Sequence, residues 1–132
     1  MNFVSVRVIA SDVRQLVEFY EHVTGLAARW ATEDFVELLT PAGTLAIASA
    51  RTMELFANAA ARPADNHTVI IEFRVDDVDS EYERLRGVVG EFVQGPTTLP
   101  WGNRSVLFHD PDGNLVNLFT PVTADAIGRF DR

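Results

Sequence analysis

Three kinds of residue in this 132-residue chain have the chemistry for a site: histidines, a few charged groups set within apolar runs, and isolated aromatics. The histidines are His22, His67 and His109. No two of them stand at a chelating spacing such as i, i+4 on one helix. His22 lies off the apolar face of a helical stretch, His67 precedes an apolar run, and His109 ends one. Asp110-Pro111-Asp112-Gly113 follows, which is turn chemistry whose carboxylates are expected to bond the turn backbone. Glu72 and Arg74 are two apart within TVIIEFRV, so on a strand they share a face. Either they anchor a polar ligand, or they form a structural ion pair between neighbouring strands, or they simply stand on an exposed sheet face. Trp101 stands in PWGN, a loop residue that packs on the core or walls a pocket. Cysteine is absent, which excludes a disulfide framework, a thiolate metal site and a thiol nucleophile. There is no GxSxG elbow and no phosphate-cradling glycine loop.

The elements that would position these residues follow from periodicity. Residues 3–10, FVSVRVIA, are β-branched and read as a strand. In the stretch after Asp12, Val13, Leu16, Tyr20 and Val23 recur at helical spacing, with Val17 and Phe19 beside them. Asp12 suits the N-cap, Gln15 a capping box and Gly25 the stop. Residues 26–31, 34–40 and 45–48 read as extended, with TPAG at 40–43 as a turn. Residues 50–66 read as a short helical or irregular connector, interrupted by Pro63. The order then starts again. Residues 68–75 are a strand, and Asp77 precedes a helix with Val78, Tyr82 and Leu85 on one face and Gly87 as its stop. Residues 90–94 read as a strand and 95–103 as a loop. RSVLFHD and GNLVNLFTP flank the DPDG turn as a hairpin. The tail, 123–132, has no assigned role.

Asp12-Val13 returns as Asp77-Val78 after 65 residues, and TPAGTLAI at 40–47 returns as DPDGNLVN at 110–117 after 70. On these offsets Ser5 matches Ile70 and Ile47 matches Asn117. The chain is a duplicated βαβββ module, α+β in class. It is expected to be one domain: module one about 1–49, connector about 50–66, module two about 67–122, then the tail. One half has too little core alone, so the halves pack together or exchange with another chain.

SDVRQLVEFYEHVTGL at 11–26, FRVDDVDSEYERLRG at 73–87 and PWGNRSVLFHDPDGNLVNLFTP at 100–121, in that order, give the chain a family. It resembles the vicinal oxygen chelate superfamily, the glyoxalase, bleomycin-resistance and extradiol dioxygenase group. The resemblance implies a curved, cup-shaped mixed sheet with helices outside and the ligand held in the cup. Strand alternation then leaves Ser5, Arg7 and Ile9 facing inward, with Ile70, Glu72, Arg74, Leu115, Asn117 and Phe119. Enzymes of the family usually bind a divalent metal through His, Glu or Gln at four repeat-related positions, which here are Ser5, Ile47, Ile70 and Asn117. Isoleucine has no donor atom, and serine and asparagine are weak neutral ligands. No metal and no other cofactor are expected. Ile47, Ile70, Phe119 and a nearby tryptophan would make the cup apolar, which suits an organic molecule. The expected ligand-binding set is Ser5, Arg7, Ile47, Ile70, Glu72, Arg74, Trp101, His109, Asn117 and Phe119, with no catalytic residue.

Hydrophobic residues are 47% of the chain and charged residues 23%, a globular composition. The net charge of −8 argues against nucleic acid as a partner, while acidic small ligands stay open because a pocket can be locally basic. The N-terminus has no basic stretch before its apolar residues, and no apolar run is long enough to span a bilayer. The expectation is a cytoplasmic homodimer that binds a small, largely hydrophobic or aromatic molecule, as the antibiotic-sequestering members of the family do. Two alternatives stand beside it. One is a lyase, isomerase or dioxygenase-like enzyme working without the usual metal set, with Glu72 or His109 as acid or base. The other is an accessory protein with a vestigial cup.

Overall fold

The computed structural model describes residues 1–56 and 60–131; residues 57–59 of the connector and Arg132 of the tail lie outside them. The chain divides into two units, Met1–Asn66 with Pro111–Gly113, and His67–Asp110 with Asn114–Arg132. The strands form two open four-stranded mixed sheets, one in each unit, with helices beside them.

In the first unit β1 (Ser5–Ala10) leads to α1 (Val13–Thr24), then β2 (Arg29–Thr32), β3 (Phe35–Leu39), β4 (Thr44–Ser49) and a 3-10 turn at Ala50–Leu55. The sheet order is β1-β4-β3-β2, with β1 parallel to β4 and the other pairs antiparallel. Asp12 caps α1 by accepting the Gln15 N–H at 3.0 Å. Gly25, at φ +72°, ends it by donating to the Glu21 carbonyl at 2.9 Å. Val13, Leu16, Val17, Tyr20 and Val23 are buried along one helix face. Strand alternation sets Val6, Val8, Ala10, Leu45, Ile47, Val36 and Leu38 together on the sheet face that meets it.

The second unit runs β5 (Ile70–Arg74), α2 (Val78–Leu85), β6 (Phe92–Thr98), β7 (Asn103–His109), β8 (Leu115–Pro121) and α3 (Ala124–Phe130), with sheet order β5-β8-β7-β6. Asp77 caps α2 by accepting from the Asp79 and Ser80 N–H groups at 3.1 and 3.3 Å. Beneath α2 lie Val106, Phe108, Val116 and Leu118, all essentially inaccessible to solvent. Tyr82 meets Phe92 with ring centroids 4.7 Å apart, and Phe92 meets Phe108 at 5.8 Å.

Two sequence expectations change here. The segment read as a loop at 95–103 is mostly strand: β6 continues through Gly95 and Pro96 to Thr98, leaving 99–102 as the turn. Its pairing with β7 is irregular between Gln94 and Thr97, and it is an edge strand, the place where a sheet tolerates proline. The tail also has a role. Thr123 caps α3 by accepting the Ala126 N–H at 3.2 Å, and Phe130 rests against Phe119 with centroids 5.1 Å apart. Phe119 faces away from α2, so α3 covers part of the opposite side of this sheet.

Candidate functional site

On the face of the first sheet opposite α1, register sets side chains in rows. Ser5, Thr44 and Leu39 form one; Arg7, Ala46 and Glu37 the next; Ile9, Ala48 and Phe35 the third. The Arg7 guanidinium stands 4.9 Å from the Phe35 ring centroid and 5.9 Å from that of Phe56, so two aromatic faces hold its charge.

Ile47 does not belong to this face. It pairs with Val8 and Val36 and is fully buried on the side that meets α1. The cause is the turn before β4. In the first unit the hairpin closes between Thr40 N–H and the Gly43 carbonyl at 3.1 Å. In the second it closes between Asp110 N–H and the Asn114 carbonyl at 2.9 Å, one residue longer. Ser5 therefore pairs with Thr44, whereas its counterpart Ile70 pairs with Leu115. Counted by strand pairing, the partner of Asn117 in the repeat is Ala46. A one-residue slip turns a side chain to the other face.

On the face of the second sheet opposite α2, Ile70, Leu115 and His109 form the first row, and Glu72, Asn117 and Leu107 the second. Arg74, Phe119 and Ser105 form the third, followed by Pro121 and Asn103. Glu72 and Arg74 share this face without pairing to each other. Glu72 Oε2 accepts from Asn117 Nδ2 at 2.7 Å. Arg74 turns to α3: Nη1 donates to the Phe130 carbonyl at 3.4 Å, Nη2 lies 3.7 Å from Asp131 Oδ1, and the guanidinium stands 5.9 Å from the Phe130 ring. Three polar atoms here are buried without a hydrogen-bond partner: Asn103 Oδ1, Ser105 Oγ and Asn117 Oδ1, on residues 8%, 2% and 7% exposed. Sequence reading missed Asn103, Ser105 and Phe130.

Residues 2–118 match the model of the Glyoxalase/Bleomycin resistance protein/Dioxygenase superfamily. The chain belongs to that superfamily. It is 26% identical over 126 residues to the uncharacterized protein YraH of Bacillus subtilis strain 168, covering 90% of this chain and 98% of the relative. Its fold is similar to that of a glyoxalase/bleomycin resistance protein/dioxygenase from Nocardioides, with TM-score 0.76, 24% identity, and coverage of 94% of this chain and 85% of that one. It is also similar to a protein of unknown function from Agrobacterium tumefaciens, with TM-score 0.77, 24% identity, and coverage of 91% and 94%.

A glyoxalase-superfamily metal does not fit the residues present. Ser5 offers a hydroxyl and Ile70 nothing. Neither Ala46 nor Ile47 has a donor, and the Asn117 amide is oriented by Glu72. Among the described residues no group of three or more His, Cys, Asp or Glu side chains is placed to hold a metal ion.

Of the remaining expected residues, His109 stands in the row beside Glu72–Asn117, and Trp101 lies apart from it. His109 is an exposed residue at the end of β7. Trp101 is 57% exposed in the 99–102 turn, and its carbonyl accepts from Arg129 Nη2 at 2.6 Å. The first unit also carries a groove of about 530 Å³ beside the start of α1, lined by Asp12, Arg14, Glu33, Asp34 and Arg51 among others. Arg51 Nη2 donates to Asp34 Oδ1 at 2.7 Å, which holds the Asp34 carboxyl below its usual range. None of the sequence-predicted residues lines this groove.

Proposed function

We propose that this glyoxalase-superfamily chain binds a small, largely apolar or aromatic molecule without a metal, and that sequestering such a compound from its target is its work. One observation carries the reading. On the face opposite α2, Asn117 keeps a buried, unmatched carbonyl oxygen among Ile70, Leu107, Leu115 and Phe119. Apolar walls with a few polar groups of unspent bonding capacity are what an organic ligand requires.

A fluorescence titration of the protein, with and without chelator, against a panel of aromatic antibiotics and phenolic metabolites tests it. Micromolar binding unaffected by the chelator is the expected result. If no compound binds more tightly than millimolar, or if chelation abolishes binding, the reading fails.

A further inference from the structure

The bonding capacity left over on the face opposite α2 is mostly accepting. The bond from Asn117 Nδ2 to Glu72 fixes the amide, with its NH2 end toward the carboxylate and Oδ1 turned elsewhere. Oδ1 then has no partner, and Asn103 Oδ1, farther along the face, is in the same state. Both are carbonyl oxygens and can only accept. Ser105 Oγ lies between their rows, also unpartnered, and all three residues are more than nine-tenths buried. Glu72 adds a carboxylate. The positive charge nearest in sequence, Arg74, is committed to the Phe130 carbonyl and to Asp131. Two carbonyls, a carboxylate and a hydroxyl remain, a set in which acceptors outnumber donors.

We infer that this face binds a protonated amine carried on an aromatic or apolar body, with the ammonium between Glu72 and Asn117 Oδ1. This rests on the small-molecule reading above and names the ligand's class. An ammonium has three donors and no acceptor, the complement of what is present. Its bond to the carboxylate is charge-assisted, hence stronger than a neutral one. Ile70, Leu107 and Phe119 give the body apolar contact, and a body extending along the face takes the place of Phe130 on Phe119. Glu72 is exposed and stands on the edge strand β5, so the row opens from that edge. The net charge of −8 favours approach by a cation.

Three probes of one shape test the assignment: 2-(2-naphthyl)ethylammonium, 2-(2-naphthyl)ethanol and 3-(2-naphthyl)propionate. They are titrated by calorimetry into the wild type, Glu72→Gln and Asn117→Leu. The ammonium should bind about tenfold or more tightly than the alcohol, with the carboxylate weakest. Each substitution should erase that preference by weakening the ammonium more than the alcohol. Asn117→Asp is the second variant, for the case in which Asn117→Leu does not fold; it should strengthen the ammonium alone. If the three probes bind alike, or if the preference survives Glu72→Gln, the amine assignment is overturned and the small-molecule reading stands. If no probe binds the wild type, the assignment falls, and the small-molecule reading falls with it only if the aromatic panel is silent too.

Discussion

Arg104 of β7 holds Asp79 of α2 through two nitrogens, Nε to Oδ2 at 2.9 Å and Nη2 to Oδ1 at 3.1 Å. Nη1 also donates to Thr98 of β6 at 3.2 Å, so one guanidinium ties the helix to two strands. The geometry is the forked pairing that suits a carboxylate best. The bond from Arg104 holds the Asp79 carboxyl below its ordinary value, and Asp79 raises Arg104 in return.

That pair sets a pH dependence of stability. A carboxyl whose folded pKa is depressed contributes stability above its unfolded pKa, and the contribution is lost as pH falls through the folded value. For Asp79 the unfolded value is near 3.8. Asp79→Asn should therefore lower the thermal midpoint modestly at neutral pH, and the gap from wild type should close as the pH drops below that value. Thermal unfolding at a series of pH values checks this; a gap that persists unchanged into strong acid would contradict it.

Gly102 cannot take a side chain. Its φ is +90°, and a Cβ there would overlap Thr123 Oγ1 and come within 2.9 Å of the Ala126 Cβ. The left-handed backbone alone costs a non-glycine residue about 1–2 kcal/mol, and the overlap adds to it. Gly102→Ala should lower unfolding stability by at least that much and loosen α3. Hydrogen exchange over 124–130 should rise, and Thr123→Ala in the same chain should recover part of the loss.

Ile47 and Phe119 should separate stability from binding. Ile47 is fully buried against α1, so Ile47→Ala leaves a cavity and should cost about 2–5 kcal/mol in urea unfolding. Its effect on the affinity of the naphthyl probes should be slight. Phe119→Ala should weaken those probes severalfold. Equal loss of affinity in both variants would contradict the register that separates the two residues.

A homodimer is expected from the free edge of the first sheet. β1 is an edge strand, and Phe3 and Val4 before it are 86% and 66% exposed. Exposed apolar residues beside an unpaired edge favour association. Sedimentation equilibrium should give about twice 14.6 kDa at micromolar concentration, and Phe3→Glu should shift it toward 14.6 kDa. A single species at 14.6 kDa in the wild type would exclude the dimer.

What could be read from sequence was what depends on near neighbours. Asp12 and Asp77 announce their helices because a cap is a contact of two or three residues. Ser5, Arg7, Glu72 and Asn117 lie on the faces that alternation assigns them, since the alternation is a property of the strand itself. Ile47 escaped because its facing depends on how many residues the hairpin before it encloses, which only the bonds at Gly43 and Asn114 reveal. Gly95-Pro96 reads as a breaker, yet an edge strand with irregular pairing accommodates both. The partners of Glu72 and Arg74 were hidden for a geometric reason. Residues two apart on a strand are farther from each other than from their cross-strand neighbours, so Glu72 meets Asn117 and Arg74 meets the tail. Seven residues, Gly128 among them, give α3 little periodicity to show; its contacts with Phe119 and Arg74 join distant parts of the sequence.

The one-residue difference between the hairpin closed at Gly43 and the one closed at Asn114 also bears on ancestry. Since duplication, the two halves have ceased to be interchangeable parts. A graft of 114–119 in place of 44–49, spliced where the turn motifs coincide, would arrive inside out, with Val116 and Leu118 where Ala46 and Ala48 now stand. Spliced by strand partner, it would keep its hydrophobic side inward. Any mutational scan superposed on the internal repeat by motif would likewise compare interior positions of one half with facing positions of the other. The hairpin tip has drifted while the ladders on either side of it have stayed in step.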